Sequence, residues 1–311
     1  DRMMRMLEQD WLSAYPFRIM GHGGTHKALN SKQMAHYLRA LAERSDGGVD
    51  CAIEVLQMRY FGYRSDKEPV PETEKPIGRE ILSKIEFGKP RDGAHDITEI
   101  ARGCLTAPSD EPIARGICRN LRAALSSHET HGWNYQKLVR FLASEFPEAV
   151  LDELVEHGKM GRGFRREMFA TLRDEGACIF SEADMTKVLA WVNISPTIRA
   201  PKLAKAIGYF HQNKDEKTLE WTPLALALIG ASPNPEAVLD IFFERFQPSS
   251  WSGSRADIME NRMSLLRALE KHSVLAIQGW AKKAIPELQK QIKATREWEE
   301  QLDRERDERF E

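Results

Sequence analysis

A run of basic residues among glycines, in the stretch HGKMGRGFRRE, is the part of this sequence best suited to bind an anion. Lys159, Arg162, Arg165 and Arg166 lie here with three glycines, and a predicted helix follows. Glycine-rich turns expose backbone N–H groups, and the N–H groups at a helix start bind phosphate or carboxylate. The stretch is consistent with two interpretations. One is a basic patch that binds nucleic acid or the acidic face of a protein, and the other is a solvated turn between helices.

A second candidate is Trp251, in the stretch FQPSSWSGSRADIMENRM, with Arg255 four residues further on. Ser254 stands where it can cap the helix that follows, with Asp257 as the acidic residue three positions later. Tryptophan and arginine dominate the energetics of protein interfaces, so an exposed Trp251 would be a contact anchor. A buried Trp251 would instead close the gap between two helix pairs, and the sequence leaves both interpretations open.

Residue types that serve in catalysis or metal binding occur in the sequence, but their spacing matches no known catalytic or metal-binding motif. His22 and His26 are four apart, yet two glycines between them make a helix that would align the two imidazoles improbable. No GxSxG elbow and no GxxxxGK[ST] loop occurs. We therefore predict no catalytic residue, no metal site and no cofactor in this chain. Four further ligand-type residues match the spacing of no zinc module: Cys104, Cys118, His128 and His131.

Composition places the chain among globular proteins. It has 311 residues, 41% hydrophobic and 30% charged, with a formal net charge of -2. Dedicated nucleic-acid binders usually carry a basic excess, so a nucleic-acid partner is not favoured. The four cysteines form no CxxC pair, and no apolar run is long enough to span a membrane. We expect a soluble, cytoplasmic protein with reduced core cysteines and no membrane partner.

The positions of apolar residues repeat with helical spacing along nearly the whole chain, which predicts an all-α fold. We expect N-terminal helices over 1–64, a Pro- and charge-rich loop or linker over 65–76, and a helical-repeat region over 77–311. Short connections favour antiparallel helix pairs, and the sequence PEAVLD occurs twice. Together these features favour an α-solenoid of HEAT or armadillo type over an irregular bundle. No segment alternates clearly enough to predict a sheet, and 196–213 is predicted to be helical.

The C-terminal stretch predicts a long capping helix over about 274–311 that ends in a polar segment. An apolar stripe is expected to pack on the preceding helices, and Pro286 to kink the helix or mark a boundary near Ala284. The stripe comprises Ala281, Ile285, Leu288, Ile292 and Leu302, with Trp298 near the same side.

The last 65 or so residues carry a further pattern, formed by Trp251, Gly253, Ser254, Arg255, Arg262, Trp280, Ala281, Trp298, Glu299 and the closing Arg309-Phe310-Glu311. With these residues the stretch resembles the C-terminal, helical region of large bacterial multidomain proteins with nucleoside-triphosphatase or other effector modules, which are associated with defence against phage. The resemblance transfers no catalytic residue, and it implies that this chain is the helical part of a longer protein.

The leading functional hypothesis is a non-enzymatic helical scaffold that binds a protein partner or upstream domains of the same polypeptide. One alternative is a HEAT-like nucleic-acid-binding protein or DNA-repair glycosylase, whose chemistry needs aromatic residues and a carboxylate in a basic groove. A sensor that opens on binding a phage component is a further alternative, implied only by the resemblance.

Overall fold

The computed structural model of the chain describes residues 2–9, 11–21, 29–62, 70–87, 94–127, 130–157, 179–213, 218–248 and 251–307. The described residues are mostly helical, which confirms the all-α class. They form two compact units, Asp1–Thr171 with Glu182–Asp184, and Leu172–Ser181 with Met185–Glu311. Within the described segments, no helix combines the length and the apolar character needed to cross a lipid bilayer.

The first unit consists of helices joined by short turns. Wider π-helical turns, Met58–Gly62 and Leu151–Glu156, extend α3 and α8. Shorter 3-10 turns occupy Tyr15–Gly21, Pro108–Asp110 and Gly132–Tyr135. Helix α4 begins inside the predicted loop 65–76, and the predicted domain limits at 64 and 77 stay predictions. The helices are α1 Arg2–Leu7, α2 Ser31–Ala42, α3 Gly48–Gln57, α4 Lys75–Ser83, α5 Ala94–Cys104, α6 Glu111–Ser126, α7 Gln136–Glu145 and α8 Pro147–Val150.

Contacts between these helices follow a regular order. The even-numbered helices α2, α4, α6 and α8 contact one another in sequence order, and so do α3, α5 and α7. In addition, α2 packs on α3 and α4 packs on α5, so the apolar faces of two adjacent rows meet. The rows approach closely where Gly78 of α4 meets Cys104 of α5. A Cβ atom at Gly78 would lie only 2.3 Å from the Sγ atom of Cys104, so only glycine fits there without a shift of its neighbours.

A series of ion pairs links neighbouring elements of the first unit. Four of them join an arginine of the even-numbered row to a carboxylate on the next element of that row, and the fifth joins Arg59, on the turn after α3, to Glu74 at the start of α4. Glu74, Asp110 and Glu153 are nearly inaccessible to water. Paired in this way, the carboxylates avoid most of the free-energy cost of a lone buried charge. We call this series the ion-pair ladder: Arg59–Glu74 at 3.1 Å, Arg79–Asp110 at 2.8 Å, Arg115–Asp152 at 2.7 Å, Arg119–Glu153 at 2.9 Å and Arg122–Glu153 at 3.3 Å.

The second unit contains six helices and one hairpin within the described residues. Helices α9 and α10, α11 and α12, and α13 and α14 pack as pairs, and α10, α12 and α14 contact one another in that order. The elements are α9 Met185–Ile194, α10 Pro196–Ala206, β1 Phe210–Gln212, β2 Leu219–Trp221, α11 Pro223–Ala231, α12 Pro235–Phe243, α13 Arg255–Leu269 and α14 Leu275–Asp307.

The hairpin corrects the prediction of a helix over 196–213 and of a chain without a sheet. Helix α10 ends at Ala206, and β1 pairs antiparallel with β2, with Phe210 opposite Trp221. Tertiary packing explains the change, because Trp221 is buried and its Nε1 donates to the backbone carbonyl of Leu265 at 2.9 Å. Strands of three residues are too short to show a period of two in a sequence.

Aromatic rings and one buried arginine pack in the core of the second unit. The aromatic cluster comprises Tyr209, Trp221, Phe242 and Phe246, whose ring centroids lie 5.4 to 6.5 Å apart. Arg262, only 5% exposed, donates to the backbone carbonyls of residues 245 and 246 at 2.9 and 3.1 Å. These carbonyls belong to the turn that follows α12, so the guanidinium satisfies backbone acceptors beyond the end of the helix.

Side chains cap the starts of several helices. Asn30 accepts from the N–H of Gln33 while the Gln33 side chain accepts from the N–H of Asn30, which completes a capping box. Thr222 and Asn234 cap α11 and α12 by the same type of bond. Each cap satisfies one of the N–H groups that the first helical turn cannot use.

Three of the four cysteine thiols lie in the core, as predicted, and Cys178 lies outside the described residues. Cys51 and Cys104 are buried, and Cys118 is fully enclosed between helices of the first unit. Burial away from water disfavours the thiolate, which raises the pKa of Cys51 to about 11 and the pKa values of Cys104 and Cys118 to about 12. Among the described residues, no group of three or more His, Cys, Asp or Glu side chains is placed to hold a metal ion.

Candidate partner-binding groove

The two regions singled out in the sequence differ in what the structure describes. Lys159, Arg162, Arg165 and Arg166 lie outside the described residues, as do His22 and His26. The binding role of the basic stretch therefore stays a prediction. Trp251 and Arg255 are described, and both lie where the loop before α13 meets α14.

A carboxylate from α14 holds the start of α13. The hydroxyl of Ser254 accepts from the N–H of Asp257 at 3.1 Å, which confirms Ser254 as the cap. The same hydroxyl donates to Oε2 of Glu299 at 2.9 Å, and Oε1 of Glu299 accepts from the N–H of Arg255 at 2.5 Å. Two N–H groups at the start of α13 are thus satisfied, one of them by a residue 44 positions away along the chain.

The loop itself has a fixed conformation at Gly253 and at Trp251. Gly253 has a φ of 77°, a left-handed conformation that glycine adopts without the steric cost of a Cβ atom. The guanidinium of Arg255 lies 4.8 Å from the ring centroid of Trp251, and its Nη2 donates to the side-chain oxygen of Gln247 at 3.1 Å. This cation–π contact holds the indole in place beside α14.

Trp251, Trp298 and Leu302 line one open groove of about 780 Å³. Their exposed fractions are 40%, 45% and 43%, whereas Trp221 and Trp280 in the same unit are buried. Large apolar side chains that share an exposed groove are typical of a contact surface for another molecule. We call this site the tryptophan groove; it is lined by Trp251, Gly253, Ser254, Trp298, Glu299, Leu302, Asp303, Glu305 and Arg306.

The groove exists because α14 is much longer than α13. Helix α14 has 33 residues and α13 has 15, and the two run antiparallel, since Ser254 meets Glu299 and Glu270 meets Gln278. With a rise of about 1.5 Å per residue, α14 extends well beyond the start of α13. The apolar stripe therefore ends at Ile292, and the prediction that Leu302 and Trp298 pack on the preceding helices is wrong.

Pro286 does not mark a boundary. Helix α14 continues from Leu275 to Asp307 through Pro286, which lies on the solvent-exposed face of the helix. Proline lacks the N–H that would bond to the carbonyl four residues earlier, and on an exposed face that carbonyl can bond to water. The continuous helix is what carries Trp298 and Leu302 beyond α13.

A second groove between α13 and α14 has a different character. Its apolar members Met263 and Ile292 are buried, so they offer little area to a ligand. Arg296 on its edge already pairs with Asp257 at 3.0 Å and with Glu260 at 2.7 Å. The tryptophan groove is the stronger candidate of the two.

The chemistry of the tryptophan groove suits non-covalent binding. The Ser254 hydroxyl is engaged in both its bonds, as donor to Glu299 and as acceptor from Asp257, so it is not placed as a nucleophile. Two indole rings and a leucine provide apolar area, and Asp303, Glu305 and Arg306 provide charge at the edge. Sequence reasoning singled out Trp251 but missed Trp298 and Leu302 as surface residues.

Comparison of the chain with protein-family models, with curated proteins and with solved structures yields no match.

Proposed function

We propose that this chain is a non-enzymatic helical scaffold that binds a protein partner, and that the tryptophan groove is its contact surface. The observation that carries the proposal is the exposure of Trp251, Trp298 and Leu302 in one groove. Elsewhere in the second unit, Trp191, Trp221 and Trp280 are buried. Tryptophan side chains are among the most frequent energetic anchors of protein interfaces.

The order of helix contacts supports the repeat part of the proposal. In the first unit, even-numbered helices follow one another in one row and odd-numbered helices in another, as expected of stacked helix pairs. The ion-pair ladder recurs along the even-numbered row at separations of 31 to 37 residues between α4, α6 and the turn after α8. An α-solenoid of HEAT or armadillo type would have both features.

The resemblance of the C-terminal residues to large bacterial defence proteins supports a proposal about the protein in which this chain works. We place the chain in a larger bacterial protein of anti-phage defence, where the groove would receive a separate protein or another domain of the same polypeptide. The acidic residues at the groove edge argue against nucleic acid as its ligand, because the phosphate backbone would be repelled.

A capture experiment tests the proposal. The chain serves as bait in lysates of phage-infected and uninfected bacteria, with and without nuclease, beside a Trp251→Ala/Trp298→Ala variant and a Trp11→Ala control. Trp11 is 78% exposed and lies in the first unit, so it controls for the loss of any exposed indole.

We expect quantitative mass spectrometry to find a protein that the double variant captures at least tenfold less than the control does, regardless of nuclease. Equal capture by bait and double variant would contradict the tryptophan groove as contact surface. Capture abolished by nuclease would favour nucleic acid and the basic stretch from Lys159 to Arg166.

A further inference from the structure

The tryptophan groove has properties that restrict the chemistry of its occupant. Its apolar area comes from three side chains, two of which, Trp298 and Leu302, are four residues apart on α14. Side chains at this spacing lie above one another on one face of a helix and form a ridge. A partner that presents apolar side chains with helical spacing can pack along such a ridge.

The backbone of α14 argues for a helical occupant. An extended peptide needs partners for its own N–H and C=O groups, which it finds at the edge of a sheet. Along α14 these groups bond within the helix, so the wall offers an extended chain no ladder of hydrogen bonds. A helix brings its backbone bonds already satisfied and needs only side-chain contacts.

The acidic residues around this ridge favour a partner helix whose polar face carries basic residues. Residues 296–307 include six acidic and three basic residues. At the groove edge, Asp303 pairs with Arg306 at 2.7 Å, and Glu305 accepts from the amide of Gln301 at 2.9 Å. This edge keeps a negative excess, which attracts lysine and arginine, and a cation can also lie over the Trp298 ring.

We infer that the tryptophan groove accepts the apolar face of a basic amphipathic helix from a partner protein. The helix lies along α14, its apolar side chains contact Trp251, Trp298 and Leu302, and its lysines or arginines face Asp303 and Glu305. This inference rests on the proposed function and adds the chemical class of the partner.

Three fluorescein-labelled peptides of 18 residues test the inference by anisotropy with the whole chain, at about 0.15 M salt. The first peptide has leucines on one helical face and lysines on the other. The second has the same leucines with glutamates, and the third has the composition of the first in a scrambled order without an amphipathic face. Circular dichroism and urea unfolding check that each protein variant is folded.

We expect saturable binding of the basic amphipathic peptide and at least tenfold weaker binding of the acidic and scrambled peptides. Trp298→Ala should weaken binding of the basic peptide about tenfold, and Leu302→Ser, which removes an exposed apolar side chain without adding charge, should weaken it as well. Trp11→Ala should leave binding unchanged.

A charge reversal tests selection separately. Asp303→Lys/Glu305→Lys should weaken binding of the basic peptide about fivefold and strengthen binding of the acidic peptide. The matched control Glu244→Lys/Glu287→Lys changes two exposed acids that do not line the groove, and it should alter neither affinity.

Equal affinity for basic and acidic peptides, no binding at all, or binding insensitive to both groove substitutions would overturn the inference. Dimerisation of the chain that Trp298→Ala abolishes, measured by sedimentation, would overturn it in favour of a second copy as the occupant. If lysate capture depends on the tryptophans while the basic peptide fails to bind, the proposed function stands and only the class of partner is wrong.

Discussion

The arginines of the ion-pair ladder and those beside the aromatic cluster bind different acceptors. In the ion-pair ladder of the first unit, Arg59, Arg79 and Arg122 bind carboxylates on neighbouring elements. In the second unit, Arg245 and Arg262 donate to backbone carbonyls near helix ends, beside the aromatic cluster. A carboxylate can be removed by substitution or protonation, whereas a backbone carbonyl cannot. The ion-pair ladder should therefore respond to changes of charge, and the aromatic cluster to changes of shape.

The largest effect is expected in the aromatic cluster. Phe242→Ala removes a fully buried ring that stacks on Tyr209 at 5.6 Å, and should lower the free energy of unfolding by about 3 to 5 kcal/mol. Urea unfolding, with hydrogen exchange of the α12 amides, measures the loss. The exposed Leu275→Ala in the same unit should cost less than about 0.5 kcal/mol. A loss below about 1 kcal/mol for Phe242→Ala would show that the cluster does not hold this unit together.

The next largest effect is expected in the ion-pair ladder. Glu153→Ala leaves Arg122 half-buried without its carboxylate and should cost about 3 kcal/mol. Arg119 loses the same partner, but it is exposed enough to be hydrated. Combining Glu153→Ala with Arg122→Ala should recover part of the loss, since no lone charge remains. Glu145→Ala, on an exposed site in the same unit, is the control; equal losses at both sites would refute the comparison between the units.

A third substitution asks whether the first unit also depends on shape. Gly78→Ala places a methyl group 2.3 Å from the Sγ atom of Cys104 and should cost about 2 kcal/mol. Adding Cys104→Ala makes room for the methyl group and should restore part of that stability. By contrast Gly116→Ala, in the middle of α6 with open space around it, should stabilise by about 0.5 to 1 kcal/mol. Urea midpoints for these variants would show whether the close approach constrains the sequence.

The smallest effect is a loss of stability in acid. Hydrogen bonds from Lys84 and Arg44 lower the pKa values of Glu43 and Asp46 below their ordinary values. Groups with a lowered folded pKa contribute stability above their unfolded pKa, near 4, and lose it as the pH falls through the folded value. Hydrogen exchange of α2, corrected for intrinsic rates, should speed up between about pH 5 and pH 3. Glu43→Gln/Asp46→Asn should remove this pH dependence, and an unchanged profile would exclude these two carboxylates as its cause.

Features that depend on near neighbours were predictable from the sequence. Asn30 begins α2, and Met34, Tyr37, Leu38 and Leu41 form its buried face. Ser254 likewise begins α13, with Asp257 at the predicted position. A cap and an apolar face involve residues within a few positions of each other, so their spacing carries the information.

Features that depend on distant neighbours were not predictable. The stripe on α14 continues to Leu302 in the sequence, but the wall it would need ends where α13 begins at Arg255. The hairpin depends on Trp221 reaching the carbonyl of Leu265, 44 residues away. Of the residues that line the tryptophan groove, only Trp251 was singled out in advance as a contact residue, and Arg255, also singled out, lies beside it. The position of Trp298, four residues before Leu302 on a polar segment, was the signal that could have revealed the rest.

The three buried thiols can be used as native probes of local unfolding in the first unit. At neutral pH, Cys51, Cys104 and Cys118 are protonated as well as enclosed, and alkylating reagents attack the thiolate. Each can react with iodoacetamide only while the helices around it are apart. The rate at which each cysteine peptide gains the label therefore reports how often that part of the helix stack opens, without any introduced dye or substitution.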